Sequence, residues 1–333
     1  MAARRTATEQ IDLIYTTTWQ LRRAKVYDSI FKQTPFWNLM SSKGRMDTEN
    51  GGRFIEEPIN YDTNSSITTI GRATTVTLQD IDHLTASKWD WKNITGHIQR
   101  FYTDEQMNRG TSMLIKIITA KIDNLQGSFA QEMERMLFAD GTGNGGLEID
   151  GLDNIIAENP TTGIVGGINR ATSGNDFWQN QFKDMALDVV STVLLKRMNN
   201  IFNNCGIYGA GIQRFPDILI SAQNVYEAYT EEATEIQQII MTESGKRIAE
   251  LGFGEQQYRG QPMTWSPECK AGSLYFINSA SLRWVADTIE NFTLGEWLPI
   301  VNQPRTRVAH AMLTGNLVCN TPRKNGVLFN MVL

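Results

Sequence analysis

Two stretches with the period of a β-strand, GGRFIEEPINY (51–61) and ASKWDWKNITGHI (86–98), enclose a polar excursion, DTNSSITTIGRATTVTLQDIDHLT (62–85). In the second stretch Trp89 and Trp91 alternate with Asp90 and Lys92, as in a strand with two unlike faces. The excursion is rich in Thr, Ser and Ile and poor in large apolar residues. The three pieces predict an extended hairpin over residues 51–99, with too little apolar surface for a core of its own. A two-stranded ribbon is marginal alone in water. It needs another surface to lie on, and another subunit would supply one.

A long helix follows. Thr103-Asp104-Glu105-Gln106 fits a capping box, and Leu114, Ile117, Ile118, Ile122, Leu125, Phe129, Met133 and Met136 recur at steps of three or four. Counted from Thr103 to Ala139, the helix is about 55 Å long, the dimension of a structural spine. It ends in FADGTGNGG (138–146). A phosphate-binding loop follows a strand and precedes a helix, so that free amides face the anion. Here the order is reversed and no GK[ST] ending is present. Gly141 suits the left-handed residue that closes a helix, so the loop reads as an exit.

Beyond the loop, GLEIDGLDNIIAEN and TTGIVGGINRATSGND predict short strands and turns. A second helix is expected from Phe177 to about Asn204, capped by Asn175 or Asp176, with Phe182, Met185, Val189, Val193 and Ile201 on one face. Asp217 to Ser221 reads as a buried strand running into a Glu-rich helix. Further strands are expected at QPMTWSP, SLYFINS, within SLRWVADTIENFTLGEW and at TRVAHAMLTGNLVCN. TPRKNG then predicts a hairpin return into VLFNM. Helices and strands are mixed without βαβ alternation, so the class is α+β.

The search for chemistry returns little. The three histidines, His83, His97 and His310, have no metal-ligand spacing, and neither HExxH nor GxSxG occurs. Cys205, Cys269 and Cys319 are far apart without CxxC spacing, which fits a reduced, cytosolic setting. Cys205 stands at a helix C-terminus, the wrong pole for activating a thiol. Glu56-Glu57, Glu231-Glu232 and Asp150/Asp153 are carboxylate pairs of the kind that solvated turns carry. No catalytic, metal or cofactor site is expected. A net charge of −5 disfavours tight nucleic-acid binding over the whole surface. The charge is uneven, and the first 25 residues are basic, with Arg4, Arg5, Arg22, Arg23 and Lys25 against Glu9 and Asp12. The strongest apolar run, near Val189 to Leu195, falls far short of the ~20 residues of a spanning helix, so the chain is expected to work in water without a membrane.

Taken in order, the basic arm, the hairpin, the spine helix and three runs resemble the major capsid proteins of tailed bacteriophages with the Hong Kong 97 type of fold. The runs are LFADGTGNGG…IDGLDNII (Leu137 to Ile156), GGINRAT…FWQN (Gly166 to Asn180) and QPRTRVAHAMLTGNLVCNTPRKNGVLF (Gln303 to Phe329). The resemblance implies an N-terminal arm at 1–50 and an extended loop at 51–99 that reaches over a neighbouring subunit. It implies a peripheral domain at 100–176 with the spine helix at 103–139, an axial domain at 177–300, and return strands of the peripheral domain at 301–333. Function would then be self-assembly, as pentamers and hexamers, into an icosahedral shell around double-stranded DNA, in a virion built in the host cytoplasm. Scaffolding, portal and decoration proteins are the further partners it implies. Some members carry a scaffolding segment ahead of the arm, for which this chain leaves no room. Others cross-link Lys to Asn, for which Lys88 and Lys92 lie in the right region without a supporting motif. Trp89, Trp91 and Arg72 are the expected intersubunit contacts, the alternative being that one Trp packs in its own core. The five basic arm residues are expected to face the interior or brace neighbours. An encapsulin-like compartment is the alternative on the same fold, and a nucleotide-binding enzyme using FADGTGNGG the alternative from another class.

Overall fold

The computed structural model describes residues 34–332 except 63–65, 73–74, 76–81, 103–110, 187–189, 207–213 and 241–255. Helix α1 (Pro35–Ser42) starts on a proline, whose missing amide costs nothing in a first turn. It buries Phe36, Trp37 and Met40, and the Trp37 ring meets Trp284 edge-on at 5.1 Å. That contact seats α1 on the first of the two larger sheets.

The first sheet runs β1 (Met46–Glu49), β12 (Leu282–Leu294), β14 (Gln303–Cys319) and β13 (Leu298–Ile300), with β4 (Lys92–Phe101) also on β14. Strand β4 lies antiparallel to β14 from Lys92↔Gly315 to Phe101↔Thr306. One face, carrying Ile98, Ala309, Ala311 and Leu313, is buried. Spine helix α2 (Thr111–Leu137) packs there through Phe129, whose ring meets Phe292 at 5.3 Å. It approaches closely because Gly96 has no side chain: a Cβ there would stand 2.5 Å from Phe129 and 2.7 Å from Leu125. The described helix ends at Leu137, and the expected start at Thr103 lies outside the described residues.

The second sheet has the order β7 (Gln181–Asp184), β15 (Gly326–Phe329), β11 (Leu274–Ile277), β8 (Ile218–Ser221), β10 (Gln261–Trp265) and β9 (Gln257–Tyr258). Strands β8, β11 and β15 are buried at every residue, which is why they read as unbroken apolar runs. Helices α3 (Val190–Asn204) and α4 (Gln223–Ile240) accompany this sheet. Helix α3 comes down on β15 at Gly326, where a Cβ would meet Ile201 at 2.7 Å and Cys205 at 3.0 Å.

Some expectations change. Of the helix expected over 177–204, the described part is Val190–Asn204, residues 187–189 lie outside the described residues, and the stretch before them is not α-helical. Asp176–Trp178 is a short 3-10 turn and Gln181–Asp184 is strand β7, because its backbone is taken up in parallel pairing with β15. Phe182 is 47% exposed there rather than part of an apolar helix face. TPRKNG does not make a hairpin. Asn325 has an extended backbone and a fully buried side chain, which accepts from Asn278 N and donates to Ser281 Oγ. It therefore hands the chain from β14 in the first sheet to β15 in the second. Strand β12 belongs to the first sheet and β15 to the second, so the chain passes between the sheets on both sides of residue 300.

Two glycines test this packing. A Cβ on Gly151 would strike the carbonyl oxygen of Ala139 and stand 2.5 Å from that of Met136, all rigid backbone. In α2, Gly127 has nothing within 4 Å. Gly151→Ala is expected to destabilise by about 1–3 kcal/mol or more, whereas Gly127→Ala stabilises by roughly 0.5–1 kcal/mol. Chemical-denaturation midpoints of the two variants check both signs.

Candidate functional site

The ribbon is present. Strands β2 (Ile55–Asn60) and β3 (Leu84–Trp89) pair antiparallel from Ile55↔Trp89 to Asn60↔Leu84, and residues of β2 alternate buried and exposed. One more rung follows, with Tyr61 N donating to His83 O and the Tyr61 hydroxyl to Asp82 O. Beyond that rung Ile67 and Ile70 are 87% and 66% exposed, and Arg72 is exposed too.

The root of the ribbon is fastened from below. Trp89, 2% exposed, stacks where Gly166 leaves room: a Cβ on Gly166 would stand 3.0 Å from the indole. Gly166 has φ +55°, and its carbonyl accepts from Lys88 N at 2.9 Å. Gly166 lies between β5 (Ile164–Val165) and β6 (Ile168–Asn169). That small hairpin is tied in turn to Trp178, whose Nε1 donates to Val165 O at 2.9 Å. Arg170, 1% exposed, completes the footing by donating to Trp178 O (3.1 Å), Asn154 O (3.1 Å) and Ile155 O (2.6 Å). Burial lowers its pKa to about 10, so it stays charged at neutral pH while held by carbonyl oxygens. The ring of Phe177 meets that of Tyr61 at 5.3 Å. The runs 137–156 and 166–180 thus form the platform on which the ribbon stands.

A second fastening is ionic. Arg283 of β12 donates from Nε to Glu57 of β2, from Nη2 to Glu49 (2.9 Å) and from Nη1 to Asp47 (3.2 Å). Burial raises the pKa of Glu57, against the pull of the Arg283 charge. Burial works against the Arg283 charge as well, but the three carboxylates outweigh it and its pKa is raised.

The expected contacts separate. Trp89 sits in its own subunit's core, which removes its indole from the free surface. Trp91 is half-buried and donates to Gly52 O at 3.0 Å. The alternation that would place both indoles on one face breaks at Asp90-Trp91, between β3 and β4, where Asn316 Nδ2 donates to Asp90 O. Arg4, Arg5, Arg22, Arg23 and Lys25 lie outside the described residues.

The glycine loop leaves α2 rather than entering a helix of any length. Asp140 Oδ1 accepts from Thr142 N and Oγ1, which lowers its pKa, and Gly141 has φ +75°. A Cβ on Gly143 would collide with the Glu148 carboxylate. Two carboxylates beside this loop repel rather than hold a phosphate. Glu56 faces Lys88 at 3.6 Å while its neighbour Glu57 points inward, so that pair does not act together. Asp150 accepts from Asn316 Nδ2 and Asn154 Nδ2 and is raised by burial, as is Asp153. The cysteines are buried and free, with the thiols of Cys269 and Cys319 pushed up to about 12 by burial. No group of three or more His, Cys, Asp or Glu that could hold a metal occurs among the described residues. Arg170, Arg283 and Asn316 were not anticipated. The one available signal was a charge inside an apolar alternation, as in SLRWVAD.

No family model matches the chain, and no curated protein matches it. Solved structures do. A chain of the cyanophage A-1(L) capsid asymmetric unit aligns with TM-score 0.64 at 13% identity, over 87% of this chain and 91% of that one. Mycobacterium phage Bobi aligns with TM-score 0.53 at 10% identity, over 86% and 89%. The holo-SrpI encapsulin complex of Synechococcus elongatus PCC 7942 aligns with TM-score 0.51 at 11% identity, over 90% and 88%. The fold is the Hong Kong 97 type, α+β.

The ionic fastening generates a pH-dependent expectation. Arg283→Gln strands the Glu57 carboxylate and is expected to cost about 3 kcal/mol near neutral pH. Without the arginine, burial and the neighbouring Glu49 and Asp47 charges act on Glu57 unopposed and its pKa rises further. The penalty is therefore absent in acid, where Glu57 is protonated with or without Arg283, grows as the pH rises above the pKa that Glu57 has beside Arg283, and is complete above the variant's higher one. Adding Glu57→Gln to Arg283→Gln recovers part of the loss. Denaturation midpoints across pH for the two singles and the double measure the coupling.

Proposed function

We propose that this chain is the major shell protein of a tailed phage, assembling as pentamers and hexamers into a closed icosahedral capsid in the host cytoplasm and persisting in the virion. The observation that carries the reading is a ribbon fastened at its root by Trp89, Arg170 and Arg283, with apolar residues Ile67 and Ile70 exposed along its reach. A polar ribbon gains order by lying on a neighbouring copy, and identical head-to-tail contacts close into rings. The work is association rather than catalysis. Trp91 and Arg72 are the residues of the expected contact set that remain for this interface. The shell encloses double-stranded DNA held weakly and without sequence preference, and the basic residues of the arm soften the repulsion of an acidic protein. Scaffolding, portal and decoration proteins are further partners in this reading, with scaffolding either a separate protein or dispensable.

The alignment with an encapsulin favours one second reading, a compartment that encloses a protein cargo. Electron microscopy of the purified chain is expected to show polyhedral particles or capsomer rings. Ile67→Asp with Ile70→Asp is expected to abolish the particles while leaving the melting temperature of the unassembled chain unchanged. A chain that stays monomeric at high concentration overturns the shell reading. Particles isolated with their natural contents separate the alternatives: nuclease-protected double-stranded DNA marks a phage head, a co-purifying enzyme marks an encapsulin. Replacing Arg4, Arg5, Arg22, Arg23 and Lys25 with Gln is expected to lower assembly or DNA content, and no change in either removes the role given to the arm.

A further inference from the structure

Two of the three histidines, far apart in sequence, are brought face to face by the first sheet. His97 of β4 and His310 of β14 are direct cross-strand partners, and their ring centroids stand 6.3 Å apart. Their neighbours in the strands, Ile98 and Ala309, are buried against the spine helix, so the two imidazoles stand on the opposite face. His97 is exposed and His310 half-buried. The adjoining rungs are Thr95↔Met312 on one side and Gln99↔Val308 on the other, and none of these residues carries a positive charge that would repel a cation. On the far flank of His310 its carbonyl accepts from Gly295 N, a residue with no side chain to cover the imidazole.

We infer that His97 and His310 form a two-histidine chelate for a borderline divalent transition-metal ion such as zinc, on the outer face of the first sheet. Paired imidazoles on a rigid ladder are already oriented, so the second nitrogen binds at high effective concentration. Imidazole nitrogen suits zinc, nickel and copper rather than magnesium or calcium. With metal–nitrogen bonds of about 2.0–2.1 Å, two imidazoles on a tetrahedral ion have centroids roughly 5 Å apart. Modest side-chain rotations close the remaining gap. Water, or a group from a neighbouring copy, completes the coordination. Among the described residues β4 pairs only with β14, so the ion would staple this edge strand to its one partner.

The composition makes the test clean. The chain has three histidines, and its three cysteines are buried. Titration of the purified full-length chain with zinc, followed by calorimetry, is expected to show one class of site. His97→Asn and His310→Asn should each weaken it by at least about tenfold, while His83→Asn leaves it unchanged. Melting curves without metal establish that each variant is folded. A second measurement needs no variant: zinc should protect His97 and His310, but not His83, from diethylpyrocarbonate, as read by mass spectrometry. Absence of zinc binding, survival of the site in the His97→Asn/His310→Asn double variant, or equal labelling of all three histidines overturns the inference. Binding is read on single chains or assembled particles alike, so failure to assemble leaves this result intact.

Discussion

A two-stranded ribbon in water has nothing to stand on, and the burial of Trp89 against the backbone of Gly166 is what gives this one a base. An indole withdrawn from water stabilises by about 1.5–3 kcal/mol, comparable with the marginal stability of an isolated hairpin. The contact exists only because position 166 has no side chain and a left-handed backbone. From it follow the turn between β5 and β6, the Trp178 indole that ties that turn down, and the Arg170 guanidinium that draws three carbonyls together. Arg283 then secures the other strand of the ribbon from the sheet behind it. One apolar and one ionic fastening hold the root while the outer part stays polar, apart from isoleucines exposed on it.

Much of this was legible in the sequence. The ribbon strands, the spine helix, the buried strand at 218–221 and the helix-closing sense of FADGTGNGG each follow from a local period or a turn residue. Local rules succeed there because period, residue type and turn chemistry agree within each segment. They fail where a distant strand decides. Phe182 and Met185 stand at helical spacing, yet parallel pairing of Gln181–Asp184 with β15 makes that segment an edge strand. Asn325 has the look of a turn residue, yet its amide is buried among Asn278 and Ser281 and its backbone is extended.

The platform was harder still to see. Nothing in the spacing of Arg170 announces that three carbonyls from two segments will converge on it, because guanidinium–carbonyl contacts leave no complementary charge in the sequence. Trp89 and Trp91 share a strand period but not a fate, since the chain changes sheets between them and Asn316 catches the Asp90 carbonyl at the break. His97 and His310 show the converse. Neither has a suggestive neighbour in sequence, and only the register of β4 on β14 makes them a pair.

The last strand has a mechanical consequence. Because β14 ends in one sheet and β15, a few residues on, fills a central position of the other, the C-terminal segment acts as a stitch through both layers. Neither layer can loosen without drawing on the other. Heat should therefore meet a body that gives way in a single calorimetric transition, not one layer at a time.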